Sequence, residues 1–526
     1  MSRLPEVITA LLDPAQYPNE NPSRVELLQT QMSFVLLTDR YAYKIRKPVN
    51  LGYVDYSSLE KRRHFSRKEL DLNRRLCPDG YLDMVAVTRD HGKIVLGGDG
   101  EIIDYAVRMK RLPQDGMMDR LLAEDGLTSD MITAVARKMA EFHQGAATGG
   151  DIDEFGSLET IRGNVAENFE QSRPYIGRAL SQAHFDALKA YFDRFLETGA
   201  PLFARRVAEG RIRDCHGDLH SAHVNFNGDE ICIYDCIEFN DRFRYGDTAS
   251  EIAFLAMDLD RHGRSDLKQA FVAEYARHAN DRGLYRLLKF YQAYRAHIRA
   301  KVACFKLDDP FVPEEEKTAE LSKARGYFDL ALAYTLSSPL LFITSGPTGC
   351  GKSTLAGTLT RHLGLRHISS DITRKKLAGI EPGTPASAAY TEGLYSPEMT
   401  QRTYVAMLDS AEKVLAGGGS VILDATFLKK TDRDRALGLA KRYSARPVII
   451  ECRLDEAEAR QRLERRATEP GNVSDGCWAV YQRQRDSAEP VEELPEGRNH
   501  VIIDTRHDPE EAIRDIIAIL IETPGK

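Results

Sequence analysis

The chain predicts two domains, an α+β first half and a second half of α/β type built on a parallel sheet, and three observations carry that prediction. First, Gly346-Pro347-Thr348-Gly349-Cys350-Gly351-Lys352-Ser353 matches the pattern G-x-x-x-x-G-K-[ST] without a departure. It sits between an apolar run at 340–344 and a helical segment carrying Leu355, Ala356, Leu359 and Leu363. Second, strand candidates at 367–371, 419–427, 448–452 and 501–504 alternate with helical segments, which implies crossovers and a parallel sheet. Third, short strands joined by turn signals, including Asn227-Gly228, give way in the first half to long helical stretches.

Strand, glycine loop and helix in this order form a phosphate cradle. The glycines let backbone N–H groups turn inward, and the helix N-terminus adds partial positive charge. Lys352 reaches the terminal phosphates, and the Ser353 hydroxyl, followed by Thr354, is placed to ligate Mg²⁺. A plain glycine-rich turn would not need the flanking strand and helix. ATP with Mg²⁺ is therefore the expected nucleotide and ion.

Composition narrows the function class. The 526 residues are 42% hydrophobic and 29% charged, with a net charge of −7, so no overall basic excess argues for nucleic acid. The first residues lack the apolar core of a signal peptide, and no run approaches the roughly 18 apolar residues of a membrane span. A cytoplasmic protein with no membrane partner is expected. Eight cysteines are scattered without a C-x-x-C pair, and they read as reduced thiols filling the core.

In the first half, residues 34–45 read as two strands around a turn at Asp39-Arg40, with Lys44 in the second. A helix follows over 57–76 and contains Glu69. Residues 30–40 contain no glycine. Farther on, Cys215-His216-Gly217-Asp218-Leu219-His220 precedes an Asn-Gly hairpin that ends at Asp235. The hairpin would return Asp235 to the side of Asp218, giving one carboxylate to accept a hydroxyl proton and one to hold a metal. His216 and His220 read as backbone braces, and Asp247 and Glu251 as caps of the helix that follows. Helices continue over 284–336 with breaks at Asp309-Pro310 and Val312-Pro313, and Ser337-Ser338-Pro339 reads as a linker. Domains at 1–338, with lobes of about 1–113 and 114–338, and at 339–526 are expected.

The stretch from His216 to Asp235 resembles the aminoglycoside phosphotransferase and choline kinase superfamily. Lys44-Ile45-Arg46-Lys47-Pro48, Leu72-Asn73-Arg74-Arg75-Leu76, Glu141-Phe142-His143 and Asp235-Cys236-Ile237-Glu238-Phe239-Asn240 resemble a bacterial family in which such a bilobal, protein-kinase-like domain is fused to a C-terminal P-loop domain. The resemblance implies that Lys44 is the phosphate lysine, Glu69 its partner, Asp218 the base and Asp235 the metal ligand. One position departs from it. Kinase loops place asparagine five residues after the catalytic aspartate, and here that residue is His223. Were Val224 to begin a strand, Asn225 would share a face with His223 and could supply the missing oxygen.

In the second half, Asp371 ends a strand near the crevice where a phosphate acceptor would sit, although an N-cap role would also suit it. Ser370-Asp371-x-x-Arg374 resembles the polynucleotide kinase, gluconate kinase and zeta-toxin group of P-loop kinases. That resemblance implies Asp371 as general base and Arg374 as the acceptor's grip. Asp424 suits the carboxylate that orients Mg²⁺, with Thr426 and Arg433 close behind. Arg462 and Arg466 lie on a charged helix and are candidates for neutralising the transferred phosphoryl. Trp478 reads as packing.

These readings converge on an ATP-dependent phosphotransferase with two sites, acting on the hydroxyl of a small molecule. A second reading makes the acceptor the 5′-hydroxyl end of a nucleic acid, against which the acidic net charge argues. A third is a regulatory ATP-binding protein with a pseudokinase first domain, favoured by His223.

Overall fold

The structure is a computed structural model and describes residues 4–52, 54–309, 312–381, 393–466 and 477–522. Backbone contacts divide the chain into two compact units, residues 1–161, 200–255 and 270–287, and residues 162–199, 256–269 and 288–526. This grouping by contacts places residues 288–338 with the second unit. The helices Gln182–Thr198 and Glu314–Thr335, expected in the first domain, belong to the second unit. Within that unit Asp329 ties them to the helix after the glycine loop. Its carboxylate oxygens lie 3.6 Å from His184 Nδ1 and 2.6 Å from His362 Nδ1. Such packing follows from side chains distant in sequence, which linker composition does not report.

The first unit is built on an antiparallel sheet of β1 (Glu26–Gln29), β2 (Ser33–Leu37), β3 (Tyr41–Arg46), β4 (Tyr81–Asp90), β5 (Lys93–Leu96) and β6 (Glu101–Lys110), in the spatial order β1-β2-β3-β6-β4-β5. Alternation sends Phe34 and Leu36 of β2, Tyr43 and Ile45 of β3, Val87 and Ala106 into one core. The β1–β2 turn does without glycine because the Thr30 hydroxyl accepts from the amide of Ser33 at 2.9 Å. The Leu59–Asn73 helix starts where the Ser58 side chain accepts from Lys61 N, and it buries Glu69 completely. Two ribbons follow, β7 (Ile212–Asp214) with β10 (Tyr245–Asp247) and β8 (Val224–Asn227) with β9 (Glu230–Ile233). The β8–β9 turn uses Gly228 at φ +60°, as its Asn-Gly sequence predicts.

The expectation of eight free thiols needs correction. Cys77 and Cys232 form a disulfide across 155 residues, joining the segment after the Leu59–Asn73 helix to β9. Cys215, Cys236, Cys304, Cys350 and Cys452 are thiols outside any disulfide and buried, and Cys477 is such a thiol and exposed.

The second unit carries a parallel sheet of β11 (Leu340–Ser345), β12 (Arg366–Ser369), β13 (Val421–Asp424), β14 (Arg446–Arg453) and β15 (His500–Asp504) in the order β12-β13-β11-β14-β15. The first strand in sequence is thus central, and the connections leave it toward both edges. That reversal opens a crevice at the carboxyl ends of β11 and β13. Leu341, Ile343, Val421, Leu423 and Ile449 form the centre of the core under it. Among the described residues no helix is long and apolar enough to cross a membrane.

Candidate active sites

In the first unit, β3 delivers Lys44 and the Leu59–Asn73 helix delivers Glu69, whose Oε1 accepts from Lys44 Nζ at 2.8 Å. The same ammonium donates to Asp235 Oδ1 at 2.7 Å, so the two carboxylates hold it between them. Burial alone would lower the pKa of Lys44, but Asp235 and Glu69 keep it well above the ordinary lysine range. Arg46 bonds the second Glu69 oxygen at 2.6 Å and Glu238 at 2.7 Å, which fixes the glutamate from behind. Asp235 adopts φ +61°, a left-handed conformation that aspartate tolerates better than most residues. Burial would raise its carboxyl, yet Lys44 and then His223 outweigh this and hold it well below the usual carboxylate range.

The catalytic-loop candidates gather beside this pair. His223 ends a short turn over Ser221–His223, and its Nδ1 lies 2.9 Å from the Asp218 carbonyl. Its Nε2 is 3.6 Å from Asp235 Oδ2. Burial, with His220 beside it, pushes the imidazole of His223 down to about 4, so it is neutral at pH 7. Asp218 Oδ2 is 3.5 Å from both His220 Nε2 and His223 Nδ1. Asn225 follows in the strand that the turn feeds. Val224 does begin β8, but Asn225 is fully buried and its amide donates to the Pro113 carbonyl at 2.8 Å and to Met117 Sδ at 3.3 Å. Its amide nitrogen braces the segment that follows β6, while its Oδ1 is buried with no hydrogen-bond partner among the described residues.

Glu251 is the residue that sequence reasoning missed. It does not cap its helix. Its buried carboxylate accepts from His216 N at 2.9 Å and Gly217 N at 2.6 Å, and its Oε2 lies 2.7 Å from His143 Nε2. Burial would raise its pKa, but these partners hold it down to about 2. The loop that presents Asp218 is thus anchored on one buried anion. Its place near a helix start imitates a cap, which hid the role. His216 is a brace, as expected, with Nε2 3.0 Å from the Tyr234 carbonyl. Asp247 does cap, accepting from Ala249 N at 2.8 Å, and also pairs with buried Arg206.

In the second unit the glycine loop runs from β11 into the Lys352–Leu363 helix, with Gly351 in the left-handed conformation at its N-cap. At Gly346, φ is +136° and a Cβ would stand 2.6 Å from the Cys452 carbonyl oxygen, so only glycine fits the close approach of the loop to β14. Lys352 Nζ curls back to the Pro347 carbonyl at 2.5 Å. The amide of Thr348 donates to Gln484 Oε1 at 2.7 Å, a partner on the Trp478–Asp486 helix that no motif signals. Asp424 ends β13 almost fully buried and meets His367 Nε2 at 3.1 Å. Burial would raise its carboxyl, but His367, Ser353 and Lys352 lower it.

Asp371 lies in the first turn of the Ser370–Leu377 helix, and the N-cap is Ser369, so capping does not account for the aspartate. Arg374 Nη1 bonds Asp371 Oδ1 at 3.1 Å, and its guanidinium lies 4.6 Å from the Tyr395 ring centroid. Buried Arg374 Nε has no hydrogen-bond partner among the described residues. Arg462 lies beside the loop, its Nη1 3.4 Å from where a Gly351 Cβ would be, and it bonds Glu458 and the Thr505 carbonyl. The side chain of Arg466 lies outside the described residues. Arg433 is structural: fully buried, it pairs with Glu493 at 2.9 Å and bonds the carbonyls of Phe427, Glu489 and Pro490. Trp478 stacks on Tyr481 at 4.9 Å, a packing role.

The donor sets differ between the two sites. Ser353 and Asp424 offer oxygens at the end of the phosphate loop, which fits Mg²⁺. In the first unit the loop position that supplies an amide oxygen in kinases holds an imidazole nitrogen, and Asn225 spends its amide nitrogen on Pro113 and Met117 while its Oδ1 has no partner among the described residues. The imidazole of His223 departs from the oxygen preference of Mg²⁺.

One unit holds a lysine between Glu69 and Asp235, and the other sets a glycine loop beside the buried strand-end Asp424. Residues 62–291 match the phosphotransferase enzyme family, and residues 341–491 match a family described as AAA domain. The chain is therefore of the phosphotransferase class. It belongs to the same family as an uncharacterized protein of Mycobacterium tuberculosis, to which it is 30% identical over 414 residues, 78% of this chain and 80% of the relative. It is also 27% identical over 190 residues to a cytidylate kinase of Granulibacter bethesdensis, 32% of this chain and 90% of that enzyme. Among solved structures, a choline kinase of Cryptosporidium parvum is 9% identical, with a TM-score of 0.38 over 62% of this chain and 93% of the other.

Proposed function

We propose that the second unit transfers the γ-phosphoryl group of ATP to a hydroxyl of a small molecule, and that the first unit performs a reaction of the same class at its own site. The observation that carries the reading is the pairing of an intact phosphate loop with an Asp371–Arg374 pair that takes no part in helix capping, beyond the carboxyl end of the sheet. In this reading the loop amides and Lys352 bind the phosphates, Arg374 and Tyr395 position the acceptor, and Asp371 accepts its proton. The acceptor oxygen then bonds to the γ-phosphorus as the bond to the ADP oxygen breaks. Ser353 and Asp424 would hold Mg²⁺, which neutralises phosphate charge when bound. Arg462 supplies further positive charge beside the loop. In the first unit Lys44, fixed by Glu69, binds ATP phosphates and Asp218 accepts the acceptor proton.

The test is phosphoryl transfer from labelled ATP to sugars, aminoglycosides, nucleosides and 5′-hydroxyl oligonucleotides by wild type, Lys352→Ala, Asp371→Asn and Asp218→Asn. Transfer that Lys352→Ala and Asp371→Asn abolish and Asp218→Asn spares belongs to the second unit. Full activity in Lys352→Ala sinks that half of the proposal, and full activity in Asp218→Asn on every acceptor sinks the other.

A further inference from the structure

We infer that the first unit holds a divalent cation through one nitrogen and one oxygen, His223 Nε2 and Asp235 Oδ2, and that this pair selects a first-row transition ion over Mg²⁺. The inference rests on the reading of that unit as a phosphotransferase for its use, but its geometry stands alone. The His223 ring is oriented by its other nitrogen. Nδ1 lies 2.9 Å from the Asp218 carbonyl, which can only accept, so Nδ1 carries the proton and Nε2 presents a lone pair. That lone pair faces Asp235 Oδ2 at 3.6 Å, too far for a hydrogen bond. Two ligand atoms each about 2.1 Å from one ion stand about 3.0–3.5 Å apart at ordinary coordination angles, so the gap is close to that of a bridged pair.

The surroundings divide the remaining contacts away from the gap. Lys44 engages Oδ1 of Asp235, the other oxygen, at 2.7 Å. Asp218 stands at the Nδ1 edge of the His223 ring, with Oδ2 3.5 Å from that nitrogen, so proton acceptance and cation binding fall on opposite edges of one imidazole. His220 packs against His223 with centroids 4.0 Å apart and ring planes tilted by 34°, which limits rotation of the ring. Asp218, His220 and His223 also offer donor atoms within 4.8 Å of one another, and the Nδ1 of His223 is spent on the Asp218 carbonyl. The His223 side chain is 15% exposed and that of Asp235 43%, so an ion can enter from the Asp235 side. Imidazole nitrogen binds Mn²⁺ through Zn²⁺ far better than it binds Mg²⁺, which demands oxygen.

The test uses the full chain without nucleotide and Mn²⁺ as probe. Electron spin-echo modulation reports a directly bound ¹⁴N, and the titration reports affinity. All samples carry Asp424→Asn, so that the carboxylate beside His367 does not contribute. The expected result is nitrogen modulation in the parent, its loss in His223→Asn, and Mn²⁺ binding weakened by about tenfold or more relative to Mg²⁺. Asparagine retains an amide that can donate to the Asp218 carbonyl, and circular dichroism checks the fold. Nitrogen modulation that persists in His223→Asn, or all-oxygen coordination in the parent, overturns the inference. Phosphoryl transfer measured in parallel keeps the two claims apart. Nitrogen ligation with no transfer attributable to Asp218 leaves the cation site standing and removes the phosphotransferase reading. Asp218-dependent transfer with all-oxygen coordination does the reverse.

Discussion

Replacing Glu251 with glutamine should release the loop that carries Asp218. The carboxylate accepts from two backbone amides, His216 N and Gly217 N, and faces His143 Nε2 at 2.7 Å. Its pKa falls from 4.5 to about 2 on folding, so the anion contributes about 3 kcal/mol at neutral pH. Both amides bond Oε1, which glutamine keeps as a neutral and weaker acceptor, and its NH2 replaces the oxygen that His216 N also approaches at 3.1 Å, at about 1–3 kcal/mol for an unsatisfied contact. A folded pKa below the unfolded one gives stability that is fully present above 4.5 and lost as pH falls through 2. The deficit of Glu251→Gln should therefore be largest at pH 7 and shrink as the medium is acidified. Because two units need not unfold together, the assay is hydrogen exchange of the peptide spanning 215–223 rather than one melting curve. Exchange at His216 and Gly217 should accelerate by about 10²-fold at pH 7. Exchange within about threefold of wild type would refute the anchoring role.

Three further outcomes follow from the same geometry. His362, held by Asp329 and Glu510 against the effect of burial, has its pKa raised to about 9. Its contribution, about 3 kcal/mol, is fully present below 6.5 and lost as pH rises through 9, so His362→Leu should flatten the alkaline limb of a urea-midpoint profile. A pH-independent loss would contradict this. Gly346→Ala should cost about 1–3 kcal/mol of backbone strain and drive a methyl into the Cys452 carbonyl, weakening fluorescent ATP-analogue binding; unchanged binding would show that the loop tolerates a Cβ. Arg433→Met should destabilise the second unit by about 3–5 kcal/mol by leaving buried Glu493 unpaired, whereas Arg433→Met with Glu493→Leu recovers much of the loss in a double-mutant cycle.

The sequence by itself determined what depends on short range: the phosphate loop between a buried strand and a helix, the β2–β3 pair, the Asn-Gly hairpin, and the order of Lys44, Glu69, Asp218 and Asp235. Those features are written in local periodicity, turn chemistry and fixed spacing, and each is visible over a dozen residues. Only the tertiary structure decided which partner a residue takes. It turned Glu251 from a cap into the anchor of a loop 35 residues upstream, joined Cys77 to Cys232, bound Thr348 to Gln484, and set the Asn225 amide nitrogen on the Pro113 carbonyl. A buried polar atom is satisfied by whatever packing brings within 3 Å, and sequence separation does not constrain that choice.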